Sequence, residues 1–267
     1  MKRIILWDKG APYFDSGLDQ EEPRMDAYLI EDGCIHPSVI VCPGGGFNSR
    51  ADSYEGDDIA VFLNENGISA FVLRYRFNPY LYPVPLLDVK RAVRTARYRY
   101  SEFFIDPDKI GIMGFSAGGH LSVLALEQFD RGIDSGDCID RISSRPDFGV
   151  LCYPSVTIGT KHSHRGCGDM LLGAKMIKDR NLIESITGEK NVPEDCAPVF
   201  IWHGADDDCV NVLESVSLAA ELSRKKIPFE MHIFEHASHG LGLAIGHSEA
   251  GQWPGLMLNW LSRCVLK

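Results

Sequence analysis

Ser116 stands at the centre of the pentapeptide Gly114-Phe-Ser-Ala-Gly118, between a short apolar run and a stretch that can form a helix. A serine at the apex of a tight strand-to-helix turn is the arrangement that a nucleophile elbow needs. Glycines two positions before and after it let the crowded backbone pass close on both sides. The helix N-terminus supplies free amides that favour a developing oxyanion. The pattern predicts nucleophilic attack on a carbonyl, although the pentapeptide alone also fits a glycine-rich turn.

A serine nucleophile needs a base that takes its proton and an acid that orients the base, and both residue types follow in the chain. They come directly after two predicted strands, at 198–202 and at 229–234. The acid candidates are Asp206, Asp207 and Asp208, and the base candidates are His236 and His239. The order Ser, Asp, His, each residue just past a strand, is that of the α/β-hydrolase arrangement.

These motifs carry a resemblance to a known family. From about Ser38 to the C-terminus, the chain resembles α/β-hydrolases of the esterase/lipase group, and most of all the small carbohydrate acetylesterases with acetylxylan-esterase-like sequences. The resemblance rests on five segments in the family's order, at 43–47, 105–110, 114–120, 202–207 and 236–241. Family members often have His or Pro before the triple glycine, and Pro43 stands at that position here.

The resemblance narrows the choice of acid and base. The family's H-G-x-x-D-x-x-V pattern fits when Asp207 is its acid, with Asp206 as the alternative. The family's H-x-x-H-G loop implies that His239 is the base. Its rival, His236, is expected to be a loop histidine that bonds to the backbone. Two further histidines are expected to be structural, one closing a strand and one packing behind the elbow: His203 and His120.

The triple glycine at 44–46 follows the predicted strand 38–42, where the oxyanion amides belong in this fold. Glycines let the backbone turn its amides inward and leave room for an acyl group. We assign the donors to Gly45 and Gly46 together with Ala117, the residue after the nucleophile. A phosphate-binding loop is a poor alternative, because no Lys-Ser/Thr follows at the required spacing.

The resemblance implies a serine carboxylic-ester hydrolase that removes small acyl groups, such as acetyl, from carbohydrates like acetylated xylo-oligosaccharides. The partner is a small-molecule ester, and no cofactor or metal is required. The alternatives are a general small-acyl carboxylesterase, a peptidase of the prolyl-oligopeptidase type, and a non-catalytic binding module on a hydrolase fold.

Strands alternate with helices from residue 38 onward, which predicts right-handed crossovers and a mostly parallel sheet. We therefore expect an α/β-hydrolase fold with helices on both faces of the sheet, one domain spanning 1–267, and no large lid domain. The predicted strands are 3–7, 25–30, 38–42, 68–75, 110–113, 147–153, 198–204 and 229–234. A turn is predicted at 106–109, and the predicted helices are 54–66, 86–100, 120–129, 181–186, 213–225 and 253–264.

Residues 155–197 show the weakest pattern. They contain a metal-like set, His162, His164, Cys167 and Asp169, whose spacing matches no standard zinc pattern. We expect this segment to be a loop near the acyl or leaving-group pocket. The aromatic and proline-rich stretch 77–85, with Phe47, fits either a sugar-stacking rim or ordinary packing against the core.

The composition excludes several classes of protein. With 45% hydrophobic and 24% charged residues, the 267-residue chain is an ordinary globular protein, and its net charge of −10 argues against nucleic acid or an anionic membrane as partner. The apolar run near Met1 stops at Asp8, short of the roughly 7–15 residues of a signal core, and no stretch reaches the roughly 18 of a membrane helix. Eight scattered cysteines fit reduced thiols and a cytoplasmic location, while the oligomeric state stays open.

Overall fold

The computed structural model describes residues 1–265, in which eight strands form one sheet. The order across the sheet is β1-β2-β4-β3-β5-β6-β7-β8. The pairs β1–β2 and β2–β4 are antiparallel, and every other neighbouring pair is parallel. The strands are β1 (Lys2–Ile5), β2 (Arg24–Tyr28), β3 (His36–Cys42), β4 (Ser69–Arg74), β5 (Ile105–Phe115), β6 (Phe148–Cys152), β7 (Val199–Gly204) and β8 (Phe229–Phe234).

From β3 onward, helices connect successive strands, and they cover the sheet on both faces. Nine α-helices lie within residues 1–265, with a π-helical turn at Ser53–Asp57 and a 3-10 turn at Ala250–Gln252. The helices are α1 (Asp58–Glu65), α2 (Val84–Tyr98), α3 (Tyr100–Phe103), α4 (Ser116–Glu127), α5 (Arg165–Met176), α6 (Arg180–Ser185), α7 (Gly188–Asn191), α8 (Leu213–Arg224) and α9 (Trp253–Cys264).

The central strand β3 illustrates how the sheet divides the core. Val39 and Val41 belong to an apolar cluster with residues of α1 and α9, whereas Ile40 and Cys42 belong to a second cluster with residues of α2, α4 and α8. A strand covered on both faces needs apolar side chains at successive positions. This explains the nearly continuous apolar run at 38–42 from which the strand is predicted.

The register of the parallel strands brings their carboxyl ends to one edge of the sheet. Gly114 of β5 pairs with Cys42 of β3, and Phe115 of β5 pairs with Cys152 of β6. Cys152 in turn pairs with Trp202 of β7. The loops after these strands and after β8 therefore emerge side by side, at the edge where open α/β sheets bind ligands.

The structure confirms the predicted mostly parallel sheet with helices on both faces and corrects several boundaries. The predicted turn at 106–109 belongs to β5, in which the Asp108 amide bonds to the Asp106 carboxylate at 3.0 Å. The elbow helix α4 begins at Ser116 rather than at residue 120. The predicted helix 54–66 starts as the π-helical turn, and 86–100 is divided between α2 and α3.

The segment between β6 and β7 contains α5, which the sequence does not predict. Its three glycines disfavour a helix, and Gly173 breaks the helical geometry with a φ of 64°. Burial of Leu171 and Leu172 in the main core holds the segment in place, so it forms no separate lid in the described part of the chain. Among residues 1–265, no helix is both long and apolar enough to span a bilayer.

Candidate active site

Ser116 lies at the junction of β5 and α4, and its backbone occupies the left-handed region with a φ of 53°. A non-glycine residue in this region stores about 1–3 kcal/mol of strain, so its surroundings must hold it. The flanking glycines permit that close packing. A Cβ on Gly114 would lie 2.1 Å from the Gly118 carbonyl oxygen, and one on Gly118 would lie 2.1 Å from that of Cys42. The strained strand-to-helix turn that the sequence predicts is present.

The loop after β8 places the imidazole of His239 between Ser116 and Asp207. Its Nε2 lies 2.8 Å from Ser116 Oγ, and its Nδ1 lies 2.7 Å from Asp207 Oδ2. An ionised carboxylate can only accept, so Nδ1 carries a hydrogen and Nε2 is left to accept from the serine hydroxyl. The ring also packs edge-on against Tyr153, with 4.8 Å between ring centroids. A histidine held in this tautomer can take a proton from the serine.

The carboxylate of Asp207 is 1% exposed and accepts hydrogen bonds on both oxygens. The amides of Cys209 and Val210 each donate to Oδ1 at 2.9 Å. Oδ2 lies 2.7 Å from His239 Nδ1 and 3.3 Å from His203 Nε2. Burial by itself raises the pKa of Asp207, but the bonds from the two histidines and the Val210 amide outweigh it and hold the pKa well below its ordinary value. Asp207 is therefore ionised beside His239 at neutral pH.

The other two aspartates of the acidic cluster are not hydrogen-bonded to His239. Asp206 lies at the surface, where its Oδ2 is 3.0 Å from His236 Nδ1 and its Oδ1 accepts from the Ala237 amide at 2.8 Å. Asp208 is exposed. The expectation that the His236 ring bonds to the backbone was wrong, because a neighbouring carboxylate offers it a charged acceptor.

The two histidines that the sequence assigns a structural role are fully buried. His120 Nδ1 lies 3.0 Å from the Ser155 carbonyl oxygen, and burial lowers the pKa of this imidazole to about 4. His203 Nδ1 lies 2.7 Å from Ser215 Oγ. The His120 ring also meets Phe47, with 6.1 Å between centroids. Phe47 is 1% exposed, so it packs in the core and forms no sugar-stacking rim.

The glycine loop after β3 lines the same cavity as the serine. The amides of Gly45, Gly46 and Ala117 have no protein acceptor within residues 1–265. Ala117 lies in the first turn of α4, where amides lack intrahelical partners. The Gly44 amide differs, because it donates to Glu55 Oε2 at 2.8 Å. Three free amides of this kind can hydrogen-bond an oxygen that gains negative charge.

Glu55 is a buried carboxylate at the cavity wall that the sequence does not single out. Besides the Gly44 amide, it accepts the Tyr153 hydroxyl on Oε1 at 2.6 Å. Burial raises the pKa of Glu55, and these two hydrogen bonds oppose the rise. Its partners are 11 and 98 residues away along the chain. No local pattern connects such distant groups, so the fold was needed to find this residue.

A small cavity opens in front of Ser116, with a volume of about 190 Å³. It is lined by Gly45, Gly46, Tyr54, Glu55, Ser116, His164, Cys167, Cys209, His239 and Gly240. Sites for drug-sized ligands occupy roughly 300–1,000 Å³, so this one suits a small group. A larger groove of about 900 Å³ lies between α1 and residues 243–255, but neither Ser116, Asp207 nor His239 lines it.

The segment 155–197 reaches this cavity through His164 and Cys167. Its position beside the cavity agrees with the expectation, but the segment contains the helices α5, α6 and α7 and is not the expected loop. His162 and Asp169, the other members of the metal-like set, are exposed. Within the range that the structure describes, no three His, Cys, Asp or Glu side chains are grouped as a metal site.

Comparison with known proteins gives concordant results. The sequence model of the BD-FAE family matches residues 25–222. Endo-1,4-beta-xylanase B of Butyrivibrio fibrisolvens is 36% identical over 237 residues, which are 87% of this chain and 36% of that protein. Acetylxylan esterase of Xylanibacter ruminicola is 27% identical over 248 residues, which are 91% of this chain and 48% of that protein. The chain thus spans less than half the length of these two relatives.

The crystal structure of an acetyl ester-xyloside bifunctional hydrolase from Caldicellulosiruptor lactoaceticus is similar over nearly the whole chain. The TM-score is 0.94 at 40% sequence identity, and the match covers 98% of this chain and 96% of that chain. A carboxylesterase from Lactobacillus plantarum, 24% identical with a TM-score of 0.74, shares the fold. On the family match, the sequence identity and the shared architecture, this chain belongs to the BD-FAE family of α/β-hydrolases.

Proposed function

We propose that this chain is a serine carboxylic-ester hydrolase that removes small acyl groups, chiefly acetyl, from carbohydrates such as acetylated xylo-oligosaccharides. The observation that carries the proposal is the pair of hydrogen bonds made by His239, 2.8 Å to Ser116 and 2.7 Å to Asp207. A serine activated in this way attacks carbonyl carbons.

The reaction follows from the position of each group. Ser116 Oγ attacks the ester carbonyl carbon while His239 Nε2 takes the hydroxyl proton. The free amides of the glycine loop and of Ala117 bind the tetrahedral oxyanion. The bond to the alcohol oxygen then breaks, and His239 gives its proton to that oxygen. Water, deprotonated in turn by His239, attacks the acyl-enzyme and releases the acid, and the proton returns to Ser116. Asp207 stays ionised and holds the imidazole by Nδ1–H.

Two observations support the acetyl and sugar parts of the proposal. The cavity of about 190 Å³ suits a small acyl group better than a long chain. Similar proteins carry the names acetylxylan esterase and acetyl ester-xyloside bifunctional hydrolase. We therefore propose a small acetylated sugar as the substrate rather than a lipid.

Hydrolysis of p-nitrophenyl esters with acyl chains of two to eight carbons, measured beside acetate release from acetylated xylo-oligosaccharides, tests this function. We expect the highest kcat/KM on the acetate and release of acetate from the sugars. Activity confined to longer aryl esters would instead indicate a general carboxylesterase. An aminoacyl p-nitroanilide, a peptidase substrate, should not be cleaved.

The role of the serine is tested separately. Ser116→Ala should lower turnover of p-nitrophenyl acetate by about 10⁶-fold, and an organophosphonate should label Ser116 in the wild type. Ser262→Ala, at an exposed position of α9, is the matched control and should retain full activity. Near-normal turnover by Ser116→Ala would refute the mechanism.

We further propose that the chain acts as a single domain (1–267) in the cytoplasm. One sheet that includes all eight strands of residues 1–265 supports the first point. All eight cysteines are unpaired, which supports a reducing compartment. The triad supplies nucleophile, base and acid, so the reaction needs no cofactor. The net charge of −10 disfavours nucleic-acid or anionic-membrane partners.

A further inference from the structure

His164 lies at the wall of the Ser116 cavity and is also the N-cap of α5. Its Nδ1 accepts a hydrogen bond from the Cys167 amide at 3.1 Å. A neutral imidazole that accepts at one nitrogen carries its hydrogen on the other, so Nε2 is an N–H donor. Within residues 1–265 this Nε2 has no hydrogen-bond partner. The cavity therefore has a donor at its wall that the triad and the oxyanion amides do not use.

A buried carboxylate holds the backbone of His164 in place. The His164 amide donates to Glu214 Oε1 at 3.1 Å, while the amides of Val156 and Thr157 donate to Oε2 at 2.7 and 2.8 Å. Glu214 is fully buried on α8. Glu214 thus fixes the backbone of His164, and the Cys167 amide fixes its imidazole ring. A donor held in this way is preorganised for a ligand.

Helix capping alone does not account for a histidine at this position. Ser, Thr, Asp and Asn are the residues that best cap a helix N-terminus, and Ser163 stands immediately before. Histidine adds a second nitrogen that reaches beyond the cap. Because His164 lines the cavity, this second nitrogen is a candidate contact for the substrate.

The chemistry of an acetyl ester limits what His164 can bind. The carbonyl oxygen goes to the free amides, the methyl group has no acceptor, and the departing oxygen takes its proton from His239. The remaining acceptors belong to the alcohol. Resting on the ester hydrolysis proposed above, we infer that His164 donates from Nε2 to a hydroxyl or ring oxygen of the alcohol part and so selects polyhydroxylated alcohols such as sugars.

The test compares two acetates that differ in the alcohol part. p-Nitrophenyl acetate offers no hydroxyl, whereas a monoacetylated methyl xyloside offers several. His164→Ser keeps a capping oxygen and removes the imidazole N–H donor. The ratio of kcat/KM on the sugar acetate to kcat/KM on the aryl acetate should therefore fall about five- to tenfold, the effect of one lost hydrogen bond. His162→Ser, at an exposed position two residues earlier, should change neither value.

The outcomes separate this inference from the proposed function. An equal effect of His164→Ser on both substrates, or no effect on the sugar acetate, would overturn the role of His164 and leave the esterase intact. A wild type that cleaves only the aryl acetate would refute the sugar substrate and this inference together. Failure on both acetates would refute ester hydrolysis itself. If His164→Ser folds poorly, equal wild-type kcat/KM for glycerol monoacetate and propyl acetate would overturn the inference.

Discussion

The hydroxyl of Tyr153 donates a 2.6 Å hydrogen bond to the buried carboxylate of Glu55 and accepts one of 3.0 Å from the Gly242 amide. Glu55 also binds the Gly44 amide of the glycine loop. Gly242 lies three residues after His239. One phenol and one carboxylate therefore join the loop that carries the candidate oxyanion amides to the loop that carries the candidate base.

Replacing Tyr153 with Phe should break this link. The change leaves Glu55 Oε1 and the Gly242 amide without their partner, so the free energy of unfolding should fall by about 1–3 kcal/mol. We expect kcat on p-nitrophenyl acetate to fall as well, because the His239 loop loses a tether. Urea denaturation and initial rates measure the two effects. Tyr100→Phe, at a ring that is 45% exposed, should leave both quantities unchanged. An equal fall of stability and kcat in Tyr100→Phe would contradict the role of the Tyr153 hydroxyl as a link between the two loops.

The two neighbouring aspartates should differ sharply when each is changed to asparagine. Asp207→Asn loses the charge that stabilises the protonated imidazole and favours the wrong tautomer, which should lower kcat by about 10⁴-fold. Asp206→Asn changes a surface carboxylate bonded to His236 and should alter kcat by less than about threefold. Steady-state rates on p-nitrophenyl acetate decide the matter. A larger loss in Asp206→Asn would identify that residue as the acid.

The two glycines of the predicted oxyanion loop should respond differently to alanine. At Gly46, with φ of 65°, an added Cβ meets no atom within 4 Å, although the residue lines the cavity. Gly46→Ala should therefore fold, but its free energy of unfolding should be about 1–2 kcal/mol lower than that of the wild type. Its kcat/KM should also be reduced. At Gly45, with φ of 130°, a Cβ would lie 2.3 Å from the Ser49 carbonyl oxygen.

Gly45→Ala should consequently lose more stability than Gly46→Ala, since strain and a backbone clash combine. Paired urea titrations and kinetics on p-nitrophenyl acetate measure both variants. Equal stability of the two variants would contradict the loop geometry described above.

Glu214 should make stability depend on pH. Burial raises its pKa from 4.5 to about 7, although the amides of Thr157, His164 and Val156 oppose the rise. The folded state therefore binds more protons than the unfolded chain between about pH 4.5 and 7, and stability falls as pH rises through that window. Relative to Glu214→Gln, the wild type should lose about 3 kcal/mol of unfolding free energy between pH 5 and 8.

Urea denaturation at stepped pH measures this difference. Glu221→Gln, on the solvent side of the same helix, is the control. Arg224 lowers the pKa of Glu221 below 4.5. Above pH 5, the free energy of unfolding of Glu221→Gln should therefore change with pH in parallel with that of the wild type. A wild-type curve parallel to that of Glu214→Gln would show that Glu214 does not titrate in this range.

The features that the sequence predicts are those with a local physical signal. The buried strands are apolar runs, and β8 and α9 have the predicted bounds, 229–234 and 253–264. The elbow is recognisable because glycines must flank a serine in so tight a turn. The chain order of Ser116, Asp207 and His239 then predicts which side chains meet, because the carboxyl ends of parallel strands lie at one edge of the sheet.

The features that escape prediction depend on distant partners. Tertiary burial of Leu171 and Leu172, rather than helix propensity, holds α5 together. Glu55 is identified only through amide and hydroxyl groups from other loops, and the free nitrogen of His164 is identified only once its cap is seen. The cytoplasmic location, the single domain and the catalytic roles stay predictions.

The hydrogen bond between Ser116 and His239 joins residues that are 123 positions apart in the chain. During synthesis, Ser116 is therefore added to the chain long before His239, the residue whose imidazole it contacts. Until β8 has paired with β7 and the loop after it has docked, Ser116 is an ordinary alcohol without a base. Esterase activity recovered during refolding would thus report when the Ser116–His239 pair forms, whereas circular dichroism would report the formation of helices and strands over the whole chain.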